Sequence, residues 1–184
     1  MKNITKKSLL VSLGLLMGSF TACVGVDPQG RGYSIAVPMS MINSTLAGQF
    51  PLKESRSFGT VEMLDPNILG QDGSDKLSIG TAFNITNMFM PKGMGGSLKL
   101  SSGVRFDPVT KNLYLANPMV QDLKFQDFSM AKYLTNDMRN ALGLLIAETI
   151  SKKPIYNISK AGMGSGLVKG IDVRNGQIFL TFGL

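Results

Sequence analysis

Residues 127–154, DFSMAKYLTNDMRNALGLLIAETISKKP, carry the longest regular pattern in the chain. Apolar side chains recur there at steps of three and four, which is the spacing of one face of an α-helix. Residues 141–147 are apolar on every side, and a helix with such a centre is usually enclosed by other elements. Pro154 ends the pattern. We therefore expect one long C-terminal helix with this apolar stripe: Met130, Tyr133, Leu134, Met138, Ala141, Leu142, Leu145 and Thr149.

Before this helix, residues 76–125 alternate apolar and polar side chains with a period of two, the pattern of β-strands with one buried face. Turn-forming segments at 91–96 and 107–112 divide the stretch into three strands. Pro118 lies inside the third strand and lacks a backbone donor, so we expect a bulge or a sheet edge there. A sheet with one apolar face needs a partner, and the helix follows it directly. The sequence thus predicts an α+β fold, a curved antiparallel β-sheet wrapped around a long C-terminal α-helix.

The two ends of the domain carry shorter signals. Residues 33–37 alternate weakly and predict a strand, and Pro38 suits the first turn of a following helix. Near the C-terminus, Asn175 and Gly176 form the strongest two-residue hairpin signal in the chain. That turn fixes a register in which both apolar sets face the same side, pairing Val173 with Ile178 and Ile171 with Leu180.

The N-terminus resembles the signal segment of a bacterial lipoprotein. Three lysines precede an apolar run over residues 9–20, which is too short to span a bilayer as a mature helix. Small residues then lead to Cys23, the one cysteine of the chain. We expect cleavage between Ala22 and Cys23 and lipid attachment at Cys23, whereas the alternative is an ordinary secretory signal with an unrelated cysteine. The expected organisation is a signal peptide over residues 1–22, a lipidated tether over 23–32 and a single domain over 33–184.

The expected cellular location and the net charge restrict the possible binding partners. Val24 follows the cysteine where an aspartate would indicate retention at the inner membrane, so we expect an outer-membrane lipoprotein that faces the periplasm. Three of the 19 lysines and arginines lie in the signal, so the mature chain has 16 of them against 12 acidic residues and a net charge of +4. These charges are scattered, and we expect a membrane partner through the anchor but no nucleic acid. The sequence identifies no protein partner.

The composition also restricts the chemistry. The chain has no histidine, which excludes histidine-activated nucleophiles and the usual zinc sites. Lipidation would consume the one thiol, and Asp72 and Asp75 lie in a polar turn without the terminal glutamate of a calcium loop. We therefore expect no enzyme, no cofactor and no metal. The 12 methionines leave one alternative, a Cu(I) site of thioethers, against the simpler interpretation that they fill apolar gaps: Met39, Met41, Met88, Met90 and Met94.

A family resemblance adds to this interpretation. The segments 141–142, 153–156 and 167–173, the last of which runs into the hairpin, are similar to those of the YceB-like lipoproteins, a bacterial family of uncharacterised function. That family resembles the tubular lipid-binding superfamily, in which a curved sheet wraps a long helix around an apolar cavity. The resemblance implies the same fold here and supplies no catalytic residues.

Two functional hypotheses follow. In the first, the chain is a lipid-anchored periplasmic lipoprotein that holds a lipid or another apolar small molecule between helix and sheet. The cavity would then be bounded by seven side chains: Phe83, Ile85, Leu98, Leu100, Leu134, Met138 and Leu145. In the second, it is a structural or interaction lipoprotein of the envelope, with a filled core and no ligand.

Overall fold

We describe a computed structural model of the chain over residues 24–27, 30, 32–88, 90–127, 132, 134–161 and 168–183. Within these residues, ten strands form two antiparallel sheets, and two short α-helices accompany them. Helix α1 is Met39–Ala47 and helix α2 is Asn136–Ser151. The strands are β1 Val24–Val26, β2 Tyr33–Val37, β3 Leu52–Arg56, β4 Gly59–Gly70, β5 Leu77–Asn87, β6 Met90–Asp107, β7 Asn112–Phe125, β8 Pro154–Asn157, β9 Val168–Arg174 and β10 Gln177–Phe182.

The expectation of an α+β fold around a long C-terminal helix is wrong. Of the described residues, 59% lie in strands and 19% in helices, so the fold is mostly β with a curled antiparallel sheet. Helix α2 has 16 residues and does not extend over 127–154. The Thr135 hydroxyl accepts a hydrogen bond from the Met138 amide at 3.2 Å, which caps the helix there. Phe125 still belongs to β7, and residues 128–131 and 133 lie outside the described part of the chain.

Helix α2 is also not enclosed by the sheet. Leu144, at the centre of the segment that is apolar on every side, is 64% exposed. On the opposite side of the helix, Gly143 lies against the Val120 side chain of β7, and Ile146 is completely buried. Periodicity identified the helical conformation and the buried side, but an apolar residue on the outer face does not require a covering element. The helix therefore packs on one face of the sheet with its other face exposed.

The larger sheet is a meander in the order β3-β4-β5-β6-β7-β8. Residues 91–96, expected to form a turn, lie inside the 18-residue strand β6. The strand needs glycine here because a Cβ at Gly96 would collide with the ring of Phe83 on β5. The expected irregularity at Pro118 is confirmed, since the pairing with β6 shifts register around residues 117–118 and Asn117 has a φ of 50°.

The smaller sheet has the order β1-β2-β10-β9. The hairpin register is confirmed: Val173 pairs with Ile178 and Ile171 with Leu180 around the turn at Asn175 and Gly176. The strand over residues 33–37 and the helix after Pro38 are confirmed as β2 and α1. In the expected tether, Val24–Val26 form strand β1, which pairs with β2, while Cys23 lies outside the described residues.

Candidate functional site

One apolar cleft lies between the first half of α2, the end of the β5–β6 hairpin and the β3–β4 turn. Its volume is about 120 Å³. A cavity of about 150 Å³ accepts benzene, so this cleft has room for about four or five carbon atoms in its present shape. Its lining is almost entirely apolar: Phe58, Ile85, Asn87, Met90, Met94, Leu134, Met138, Ala141 and Leu142.

The sheet side of the cleft follows from strand pairing. Ile85 on β5 pairs with Met94 on β6, and both side chains are buried, at 5% and 3% exposure. Asn87 pairs with Met90 where the hairpin closes. The side-chain amide nitrogen of Asn87 donates a hydrogen bond to the Phe58 carbonyl at 3.3 Å, and its side-chain oxygen accepts one from the Met90 backbone amide at 2.9 Å. Both polar atoms of Asn87 therefore fix neighbouring backbone, and the cleft presents mainly hydrocarbon and sulfur.

The helix side is fixed at the start of α2. Thr135 caps the helix, and the Arg139 Nε donates to the Leu134 carbonyl at 3.3 Å. The Arg139 guanidinium also lies 5.6 Å from the ring centre of Phe125, at the end of β7. These contacts hold Leu134 over the cleft. Met138, one turn later, is 46% exposed and lies at the mouth.

The structure brings three of the seven expected cavity residues to the cleft, namely Ile85, Leu134 and Met138. The other four do not line it, although they are buried in the packed core at 1% to 7% exposure: Phe83, Leu98, Leu100 and Leu145. The expected cleavage and lipidation residues, Ala22 and Cys23, lie outside the described part of the chain.

Six lining residues were not expected at a cavity; Ala141 and Leu142 lie on the predicted apolar stripe of the helix, and the methionine count pointed to Met90 and Met94. Met90 directly precedes, and Met94 lies within, the segment 91–96 that was expected to form a turn. Met39 and Met41 do not join them, because α1 packs against β4 and β8. Phe58 belongs to a two-residue turn that lies near α2 although the two are far apart in the sequence. Periodicity does not reveal such long-range contacts.

Two open recesses flank the cleft. The first, about 520 Å³, shares Phe58 and Asn87 with it and otherwise has a mixed polar and apolar lining: Arg56, Ser57, Gly59, Thr60, Thr86 and Met88. The second, about 490 Å³, shares Met90 and Met94 and contains the opposite charges of Lys92 and Asp127. The first recess therefore has a single charged side chain on its lining, and the second has a balanced pair.

Among the described residues that line the cleft there is no acid, base or nucleophile. The shifted titrations lie elsewhere: burial raises the pKa of Tyr156, and hydrogen bonds from Thr110 and its neighbour lower the pKa of Asp107. Among the described residues, no three acidic or cysteine side chains come close enough to hold a metal ion. No helix in the described part of the chain is long and apolar enough to cross a membrane.

The chain belongs to a family of proteins of unknown function, DUF1439, whose model matches residues 40–177. The match begins in α1 and ends at the first residue of β10, so it includes every strand and helix that borders the cleft. No curated protein matches the chain.

Proposed function

We propose that this chain is a lipid-anchored protein of the cell envelope that binds the end of an apolar chain in the cleft under α2. The observation that supports this most directly is the cleft itself, where nine lining residues surround about 120 Å³ and the one polar side chain among them, Asn87, is hydrogen-bonded to backbone. Methionine has flexible torsions and a polarisable sulfur, so Met90, Met94 and Met138 can adapt to ligands of different shape.

The size of the cleft limits the affinity. Burying one methylene contributes about 0.8 kcal/mol, so five of them contribute about 4 kcal/mol before the costs of association. Without those costs that value corresponds to a dissociation constant of about 1 mM, and the costs raise the constant further. A tighter ligand must either move the methionines aside or make contacts outside the cleft. The cleft therefore suits the end of a molecule better than a whole lipid.

The anchor is the second part of the proposal. Cys23 would be lipidated after cleavage behind Ala22, and three acyl chains would hold the protein on the periplasmic face of the outer membrane. The resemblance of the N-terminal segment to a bacterial lipoprotein signal supports this assignment. Replacing Cys23 by Ser should release the protein from the membrane or leave an uncleaved precursor. A processed Cys23→Ser protein that still sediments with membranes would overturn the anchor.

Methyl NMR tests the ligand directly. The methionine methyl groups are labelled, and the mature protein is titrated with 1-octanol, a neutral ligand with one alkyl chain. The signals of Met90, Met94 and Met138 should shift together, while Met41 and Met119, which do not line the cleft, serve as internal controls. Equal shifts at all five would indicate unspecific association and contradict the proposal.

A structural or interaction lipoprotein remains the second candidate, because four of the seven expected cavity residues are packed in the core. It also has a specific surface: Phe58 and Met88, on adjacent turns, are 36% and 83% exposed. In that case 1-octanol should leave the three cleft methyl signals unchanged. We propose no catalytic activity, no cofactor and no nucleic-acid partner in either case.

A further inference from the structure

The recess that contains Arg56 continues directly from the cleft. Phe58 and Asn87 line both, so the phenyl ring and the β5–β6 turn form the boundary between them. Thr60 on β4 pairs with Thr86 on β5 in the floor of the recess. The Thr60 hydroxyl lies 3.0 Å from the Ser55 hydroxyl. Beyond Phe58 the apolar surface is thus joined by hydroxyl groups and one guanidinium.

Arg56 is the one charged side chain on the lining of that recess. It is 46% exposed, and its Nη1 lies 3.4 Å from the Ser55 carbonyl and 3.5 Å from a carboxylate oxygen of Glu54. Both contacts are long and use the same nitrogen. A guanidinium has five N–H donors in a planar fork, so the remaining donors can bind a carboxylate or phosphate in a bidentate manner.

The opposite flank does not offer this charge. Lys92 and Asp127 both line the second recess, so an anion there would meet a carboxylate, whereas Glu54, the carboxylate 3.5 Å from Arg56, does not line the first recess. The cleft cannot take a charged group either, because both polar atoms of Asn87 already bind backbone and an unpaired charge in apolar surroundings is strongly unfavourable. An anion bound at this end of the molecule is therefore favoured on the Arg56 side.

We infer that the cleft and the Arg56 recess together bind one anionic amphiphile with a single alkyl chain, whose hydrocarbon end enters the cleft while its head group lies beside Arg56. The recess is open to solvent, so a head group beside Arg56 can remain hydrated while a chain end of a few carbons lies in the cleft. This inference rests on the proposed function of the cleft. A fatty carboxylate and a monoalkyl phosphate share the required chemistry.

The test compares three probes with the same chain length: 1-octanol, octanoate and octyl phosphate. The mature lipidated protein is held in nanodiscs of zwitterionic lipid, and affinity is read from the methyl signals of Met90, Met94 and Met138. Because one charge-assisted contact is gained, both anions should bind about tenfold more tightly than the alcohol. Acetate and inorganic phosphate, which have no chain, should not shift these signals. The stronger of the two anions identifies the head group.

Two variants locate the head group. Arg56→Gln should reduce the affinity for octanoate and octyl phosphate about tenfold and leave that for 1-octanol unchanged. Lys92→Gln removes one exposed cation from the other flank and should change the affinities for all three probes by less than about twofold. Equal effects of both variants, or no effect of Arg56→Gln on the anions, would overturn the inference while leaving the cleft intact. If 1-octanol itself fails to bind the wild-type protein, the proposed function fails and the inference with it.

Discussion

The two halves of α2 meet the sheet in different ways. The second half is packed against the core, where Ile146 and Ile150 are completely buried and Ala147 is 2% exposed. The first half lies over the cleft, with Met138 half exposed at its mouth. The same helix therefore closes the core at one end and leaves about 120 Å³ open at the other.

The side chains account for this difference. Isoleucine is branched at Cβ and has few rotamers, so it fills a fixed space at crystal-like density. The first half instead faces methionines, which have several torsions and fit gaps without defining one shape. A stable core and an adaptable cleft can thus adjoin on one helix. The predictions below test whether the two halves behave separately.

The largest effect is expected in the packed half. Ile146→Ala removes a completely buried side chain and leaves a cavity, so it should lower the free energy of unfolding by about 2–5 kcal/mol. Leu144→Ala, two residues earlier but 64% exposed, is the matched control and should change it by less than about 0.5 kcal/mol. Urea unfolding, monitored by circular dichroism, measures the free energy of unfolding of both variants. Equal losses would show that α2 is buried on both faces.

An overpacking pair separates the cleft from the core. Met138→Trp adds volume where the protein has none, so it should expel 1-octanol with little change in melting temperature. Leu145→Trp adds volume in the packed half and should lower stability by about 1–3 kcal/mol through strain. Thermal unfolding and methyl NMR follow the two quantities. Unchanged octanol binding in Met138→Trp, together with a sharply lower melting temperature, would contradict the cleft and favour a filled interior.

The cap at the start of α2 should have a smaller effect. Thr135→Ala removes the acceptor for the Met138 amide and should lower the free energy of unfolding by about 1 kcal/mol. Thr135→Ser keeps the hydroxyl and should retain most of the wild-type stability. Because Leu134 and Met138 flank this cap, octanol affinity should fall with Thr135→Ala as well. Loss of stability without loss of affinity would show that the cleft does not depend on the first turn of α2.

The sequence predicted local structure better than the way elements meet. The register of the β9–β10 hairpin was recovered, because Asn175 and Gly176 both take the positive φ that their turn requires. The irregularity at Pro118 was also predicted from a local feature, because proline lacks the backbone N–H that strand pairing needs. The start of α2 was missed, since apolar spacing continues N-terminally while the Thr135 cap is a single hydrogen bond.

The cleft could be predicted only in part. Ile85 and Met138 followed from the inner faces of a strand and a helix. Met90 and Met94 were missed because glycine and proline suggested a turn, and only the ring of Phe83 explains why glycine occurs in a strand. Phe58 depends on which turn lies opposite α2, and that is decided by the curl of the whole sheet. Local patterns do not contain this information.

The smallest expected effects concern pH, and they distinguish the fold from the cleft. Asp107, in the β6–β7 turn, accepts a hydrogen bond from the Val109 amide at 2.8 Å, and its pKa is lowered from 3.8 mainly by hydrogen bonds from Thr110 and Val109. A lowered pKa in the folded state means that the carboxylate contributes stability above the unfolded pKa, and that this contribution is lost as pH falls through the folded pKa. Between pH 5 and pH 3, the free energy of unfolding of Asp107→Asn should therefore fall less than that of the wild type. Urea unfolding at each pH measures this difference.

The neutral ligand should show no such dependence. None of the nine residues that line the cleft titrates, so the affinity for 1-octanol should stay constant within about twofold from pH 5 to pH 9. Asp107 remains ionised over this range, so its contribution to the stability of the fold is also retained. Octanoate provides the contrast, because its own carboxyl group protonates near pH 5 and should then lose the advantage that Arg56 provides. Methyl NMR at five pH values measures both. A change in octanol affinity across this range would mean that a charged group enters the cleft when the ligand binds, and the separation between an apolar cleft and a charged recess would no longer hold.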